Sequence, residues 1–146
     1  MHRDRHHRRP RATVFPYLAN LEHNPDWNWA ILATQPLQAG PGRRGSRFHQ
    51  SSKSADSATL LEITKFMPNR LLEVSSQAGK ATARYRYQFA NSPTGGTELT
   101  LTTELRPGHR LPRPDLYASR TQLAVRENLQ HLKVVIEDIV RAGITE

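Results

Sequence analysis

The chain has 146 residues, no cysteine and a formal net charge of +8. Such a length suits one domain with a real core, burying about 68–70% of the unfolded surface, and the lack of cysteine excludes disulfides and thiolate chemistry. No apolar run approaches the roughly 18–20 residues of a membrane span, and no apolar segment follows the charged start as a secretory signal requires, so a cytoplasmic protein is expected.

The first eleven residues hold five arginines and one aspartate, half of the charge excess. Nothing there is suited to a core, and residues 1–11 read as a basic, disordered, solvated tail. The alternative is a basic arm on phosphates. Because the rest of the chain is only mildly basic, nucleic acid is not the expected partner. His2, His6 and His7 lack a fixed scaffold for a metal.

Val14, Phe15, Leu18 and Leu21 fit one helical face, with Thr13 as the expected N-cap and Pro16 in the tolerant first turn. Asn20 to Trp29 reads as a short helix or turn that brings Trp27 and Trp29 to the start of the first strand. Ala30–Gln38 is a predicted strand. The loop from Gly40 to Gly45 lacks the Gly-Lys-Ser/Thr ending of a phosphate loop and is taken as a hairpin connection. Further strands are expected at Ser46–Ser52, with Phe48 inward, at Ala58–Phe66, with Leu61 and Ile63 on one face, and around Leu72 and Val74.

The clearest strand is Ala81–Ala90. Ala81, Ala83, Tyr85, Tyr87 and Phe89 alternate with Thr82, Arg84, Arg86 and Gln88. Thr97–Leu105 answers with Leu99, Leu101 and Leu105 on one face. Two alternating strands joined by a short turn imply an antiparallel pair with one wet face. From Asp115 to Ala142, Val125, Leu129, Leu132, Ile136 and Ile139 recur at steps of four and three, which predicts a long amphipathic helix. The fold class is therefore α+β, a sheet that buries one long C-terminal helix.

The stretches Val14–Trp27, Lys65–Leu71, Gly95–Leu99 and Leu129–Lys133, in this order, resemble the START-like (SRPBCC) superfamily, in its polyketide cyclase/dehydrase and lipid-transport branch. The resemblance covers about residues 12 to 141 and implies a helix-grip fold: a curved antiparallel sheet wrapped around the C-terminal helix, with a cavity between them. It assigns residues 12–146 to one such domain. Family members usually begin with a strand ahead of the first helix. Arg and His occupy that place here, so the first strand is expected to be missing or degraded.

No catalytic constellation stands out. Serines lack a nucleophile-elbow setting, and His23, His49, His109 and His131 are isolated. No metal and no cofactor are expected. Three functions remain open: binding of a small hydrophobic ligand, lipid or polyketide-like; a cyclase or dehydratase using Tyr85, Tyr87, His49 or Arg47 for proton transfer; and an anionic-surface or nucleic-acid contact through the tail. For the first, the candidate ligand-binding residues are Trp27, Trp29, Phe48, Leu61, Ala83, Tyr85, Tyr87, Phe89, Leu101, Leu129, Leu132 and Ile136. Core packing is the competing role for the phenylalanines. Oligomeric state is not legible in the sequence.

Overall fold

Alternation of apolar and polar side chains builds most of the molecule as one sheet. The computed structural model describes residues 2–28, 30–53, 58–106, 126, 129–130 and 132–133, with residues 2–7 as backbone alone. The strands are β1 (His2–His7), β2 (Ile31–Pro36), β3 (Arg47–Ser52), β4 (Thr59–Met67), β5 (Leu71–Ala78), β6 (Ala81–Asn91) and β7 (Thr97–Arg106). Two helices, α1 (Arg11–Ala19) and α2 (Asn24–Trp27), lie between β1 and β2, linked by a 3-10 turn at Leu21–His23. The strands form one antiparallel curved sheet in the order β1-β7-β6-β5-β4-β3-β2. Every neighbouring pair beyond β1–β7 is a hairpin of consecutive strands, as short turns between alternating segments require.

The expected loss of the first strand is corrected. Residues 2–7 are not a disordered tail but pair with β7, His2 opposite Thr102 through His7 opposite Thr97. Strand pairing uses backbone N–H and C=O groups, which every non-proline residue carries whatever its side chain. The Thr97 hydroxyl, fully buried, also donates to the Arg9 carbonyl at 2.7 Å and ties the β1–α1 connection to the sheet.

Helix α1 begins three residues earlier than expected. Pro10 stands at the N-cap, and the N–H groups of Thr13 and Val14 donate to its carbonyl at 2.9 and 3.1 Å. Pro16 therefore lies inside the helix rather than in its first turn, and it cannot supply the N–H that the Ala12 carbonyl would accept. Tertiary packing offsets this, since Val14, Phe15 and Leu18 are all buried. The Phe15 ring meets Phe66 and Phe89 edge-on, with centroids 5.4 and 5.1 Å apart. The Tyr17 hydroxyl donates to Asp26 Oδ2 at 3.1 Å, and its ring stacks on His23, which ties α1 to α2 as one lid over the sheet.

The core lies on the concave face. Leu61, Ile63, Leu72, Val74, Tyr87, Phe89, Leu99 and Leu101 are buried there. A bulge between Ile63 and Lys65 adds one residue to β4 and reverses its parity, so that Phe66, not Lys65, pairs with Leu72. Of the predicted C-terminal helix, Arg126, Leu129, Gln130, Leu132 and Lys133 are described, and all are helical. Leu129 and Leu132 are fully buried while Arg126 and Gln130 are exposed, which sets the apolar stripe against the core. The rest of Asp115–Ala142 lies outside the described residues. Among the described residues no helix is long and apolar enough to cross a membrane.

Candidate ligand-binding site

The lid of α1 and α2 does not fill the concave face. Between them and the sheet lies a cavity of 300 Å³. Its apolar wall comes from Leu18 and Leu21, from Trp27 of α2, and from Leu61 and Val74 of the strands. Its polar wall comes from Asn24, Gln50, Thr59, Ser76, Tyr85 and Tyr87. The strand residues arrive here because alternation brings every second side chain of β3 to β6 to one face. Gln50 follows Phe48 by two, and Ser76 follows Val74 by two.

Two groups at this cavity carry its chemistry. Tyr87 is only 8% exposed and lines the cavity. Burial raises its pKa above the ordinary tyrosine value, and the neighbouring Tyr85 raises it further, so the phenol stays neutral. The second group is Gln50. Its Oε1 accepts from Thr34 Oγ1 at 2.8 Å and from Asn24 Nδ2 at 3.1 Å. Both acceptor directions of the carbonyl are then engaged, and the amide is held in one orientation.

A second cavity, of 480 Å³, lies on the other flank of α1, with Phe15, Ala19, Pro36, Phe48 and Phe66 among its walls. An open groove lies near the far end of β6, between Ser76, Ala83, Arg84 and Glu104.

The structure divides the expected site residues. Trp27, Leu61, Tyr85 and Tyr87 line the 300 Å³ cavity. Phe48 lines the neighbouring one and Ala83 the open groove, so neither borders the central space. Phe89, Leu101, Leu129 and Leu132 are buried in the surrounding core without lining either cavity. Trp29 and Ile136 lie outside the described residues. Asn24, Gln50, Thr59 and Ser76 were not legible as lining residues: Gln50 and Ser76 share faces with Phe48 and Val74, but parity alone gives no sign that a polar residue borders empty space.

The proton-transfer candidates separate as well. Arg47 and His49 are exposed and alternate with buried Phe48, so they project from the convex face. Arg47 Nε pairs there with Glu62 at 3.2 Å. The same face holds Glu73, 3% exposed, beneath Arg84 Nε at 3.1 Å, Lys65 Nζ at 3.6 Å and an Arg86 guanidinium nitrogen at 3.7 Å. Among the described residues no cluster of three or more histidine or carboxylate side chains is placed to hold a metal.

A family model described as polyketide cyclase / dehydrase and lipid transport matches residues 1–137. The chain belongs to that family. It is thereby a member of the START-like superfamily, and the match takes in β1 as well as the lid and the sheet. No curated protein sequence matches the chain. Solved structures share its fold at low identity. A Staphylococcus aureus protein of unknown function is 9% identical with a TM-score of 0.77, covering 97% of this chain and 94% of that one. Ara h 8.0201 is 12% identical with a TM-score of 0.74, covering 94% and 97%. A Rhodobacter sphaeroides protein is 16% identical with a TM-score of 0.70, covering 94% and 91%.

Proposed function

We propose that this protein binds a small hydrophobic molecule, lipid or polyketide-like, in the cavity between the curved sheet and the helices that cover it. One observation carries the reading: a preformed 300 Å³ space, largely apolar, into whose wall the buried Tyr87 is set among a few neutral polar side chains. Ligand sites are usually such concave apolar spaces with a few fixed polar groups. Trp27, Leu61, Tyr85 and Tyr87 are the contacts, with Phe89, Leu101, Leu129 and Leu132 supporting them from the core.

The family description also covers cyclases and dehydrases. Of the proton-transfer candidates only Tyr85 and Tyr87 reach the cavity, and Tyr87, whose phenol burial holds neutral, is a poor base at neutral pH. Binding is therefore the reading the geometry favours.

The test is titration with a neutral, environment-sensitive naphthyl ketone. The parent is expected to bind it saturably. Ser76→Trp, which places an indole in the cavity, is expected to fold and to bind none. Equal binding by both, or none by the parent, would overturn the proposal.

A further inference from the structure

The described walls of the cavity are of one electrical kind. Every described side chain that lines it is uncharged. The charged side chains of the same strands stand on the convex face, where Arg47 meets Glu62, and Lys65 and Arg84 meet Glu73. What the cavity presents instead is donors. The Gln50 carbonyl is occupied by Thr34 and Asn24, so the group this amide can offer an occupant is its Nε2 donor. Tyr87, more than nine-tenths buried, lines the same cavity and carries a phenol donor.

We infer, resting on the binding role proposed above, that the cavity selects neutral molecules carrying a carbonyl-type acceptor, and that Gln50 and Tyr87 read that acceptor. The physical grounds are two. A carboxylate or phosphate entering this space loses its hydration without meeting a described counter-charge, and that loss is several kcal/mol per ion. A neutral ketone or ester loses little hydration and can accept hydrogen bonds from the Gln50 amide and the Tyr87 hydroxyl. A pure hydrocarbon fits the walls but leaves both donors idle. The favoured class is thus an aromatic or alicyclic ketone or ester rather than a free acid.

A matched series separates these cases: 2-acetylnaphthalene, 2-ethylnaphthalene and 2-naphthoate, each displacing the naphthyl ketone probe at neutral pH. The three share a ring system and differ in acceptor and charge. The ketone is expected to bind about three- to tenfold tighter than the hydrocarbon, the range of one net hydrogen bond. It is expected to bind at least about tenfold tighter than the carboxylate. Gln50→Glu keeps an oxygen acceptor for Thr34 and Asn24 and removes the amide donor. It is expected to abolish the preference for ketone over hydrocarbon. Tyr87→Phe is expected to lower the same preference in a background that keeps Gln50.

Equal affinity for ketone and hydrocarbon, or a carboxylate bound as tightly as the ketone, overturns the inference while the cavity still stands as a general apolar receptor. An unchanged preference in both variants overturns the assignment to Gln50 and Tyr87. Displacement by none of the three overturns the inference, while absence of saturable probe binding by the parent overturns the binding role itself and this inference with it.

Discussion

Glu73 has the most unusual environment of any single residue. Alternation along β5 puts it on the convex face, where a carboxylate is ordinarily solvated, yet it is 3% exposed. Lys65, Arg84 and Arg86 fold over it, and long basic side chains lying along a sheet bury what is beneath them. Removing one partner of a buried charged pair usually costs about 3–5 kcal/mol, because the other is stranded. Here the stranded groups are 37–53% exposed and recover water. Glu73→Gln is therefore expected to lower the unfolding free energy by about 1–3 kcal/mol in a urea melt, the range of a lost charge-assisted hydrogen bond. A loss near zero would mean that the cations are fully solvated without it. The tyrosines make a second prediction. Folding raises the pKa values of Tyr17 and Tyr87 above 10.0, by burial first, then by Asp26 for Tyr17 and by Tyr85 for Tyr87. Above pH 10 the unfolded chain releases these protons and the folded one holds them. Stability is thus intact below that pH and falls as pH rises past it. Denaturant melts across the alkaline range are expected to show the decline, and Tyr87→Phe is expected to make it shallower.

At the scale of elements, legibility in the sequence followed the strength of the period. β6 and β7 alternate without interruption, so their bounds and inner faces were evident from Tyr85, Tyr87, Phe89, Leu99 and Leu101. The extent of β4 was legible to Phe66, but its inner face only as far as Ile63, since a bulge has no signature in composition and Thr64 resembles any strand residue. The start of α1 was misplaced because Thr13 is a good cap by chemistry, whereas Pro10 caps through its carbonyl alone. β1 was illegible for a deeper reason. Its residues have no apolar alternation, and its place in the sheet rests on backbone pairing with β7. That changes the expected result of truncation. Removing residues 1–9 takes away six paired positions and the carbonyl that accepts from Thr97, and it turns β7 into an open edge. The melting temperature is expected to fall by more than about 5 °C, since roughly 1 kcal/mol shifts it by 2–4 °C in a chain of this size. Replacing Arg3 and Arg5 with threonine preserves the backbone groups and is expected to retain most of the stability. If truncation leaves the melt unchanged, β1 contributes nothing to the fold. In the C-terminal helix, Leu132→Ala is expected to cost about 2–5 kcal/mol, the range for a fully buried leucine.

At the scale of the whole molecule, the two faces of the sheet are divided by chemistry. The concave face collects apolar side chains and neutral polar groups; the convex face carries the paired charges. The net charge of +8 therefore says little about the cavity. It also says less about nucleic acid than a free basic arm would, because half of the excess sits in a segment that includes an ordered edge strand. These two potential activities respond oppositely to salt. Binding driven by apolar burial and neutral hydrogen bonds involves no counterion release. Binding to a phosphate backbone releases counterions, and its affinity falls along a steep, linear log–log slope. The affinity for the neutral naphthyl ketone is accordingly expected to change by less than about twofold between low and high salt, where an interaction using several phosphates would lose orders of magnitude. Parallel titrations with the ketone and with a short DNA duplex, at several salt concentrations, check this. A ketone affinity that drops with salt would place charge in the binding step and contradict the neutral walls. A tight duplex complex with a steep slope would show that the basic surface, not the cavity, is the principal binding site.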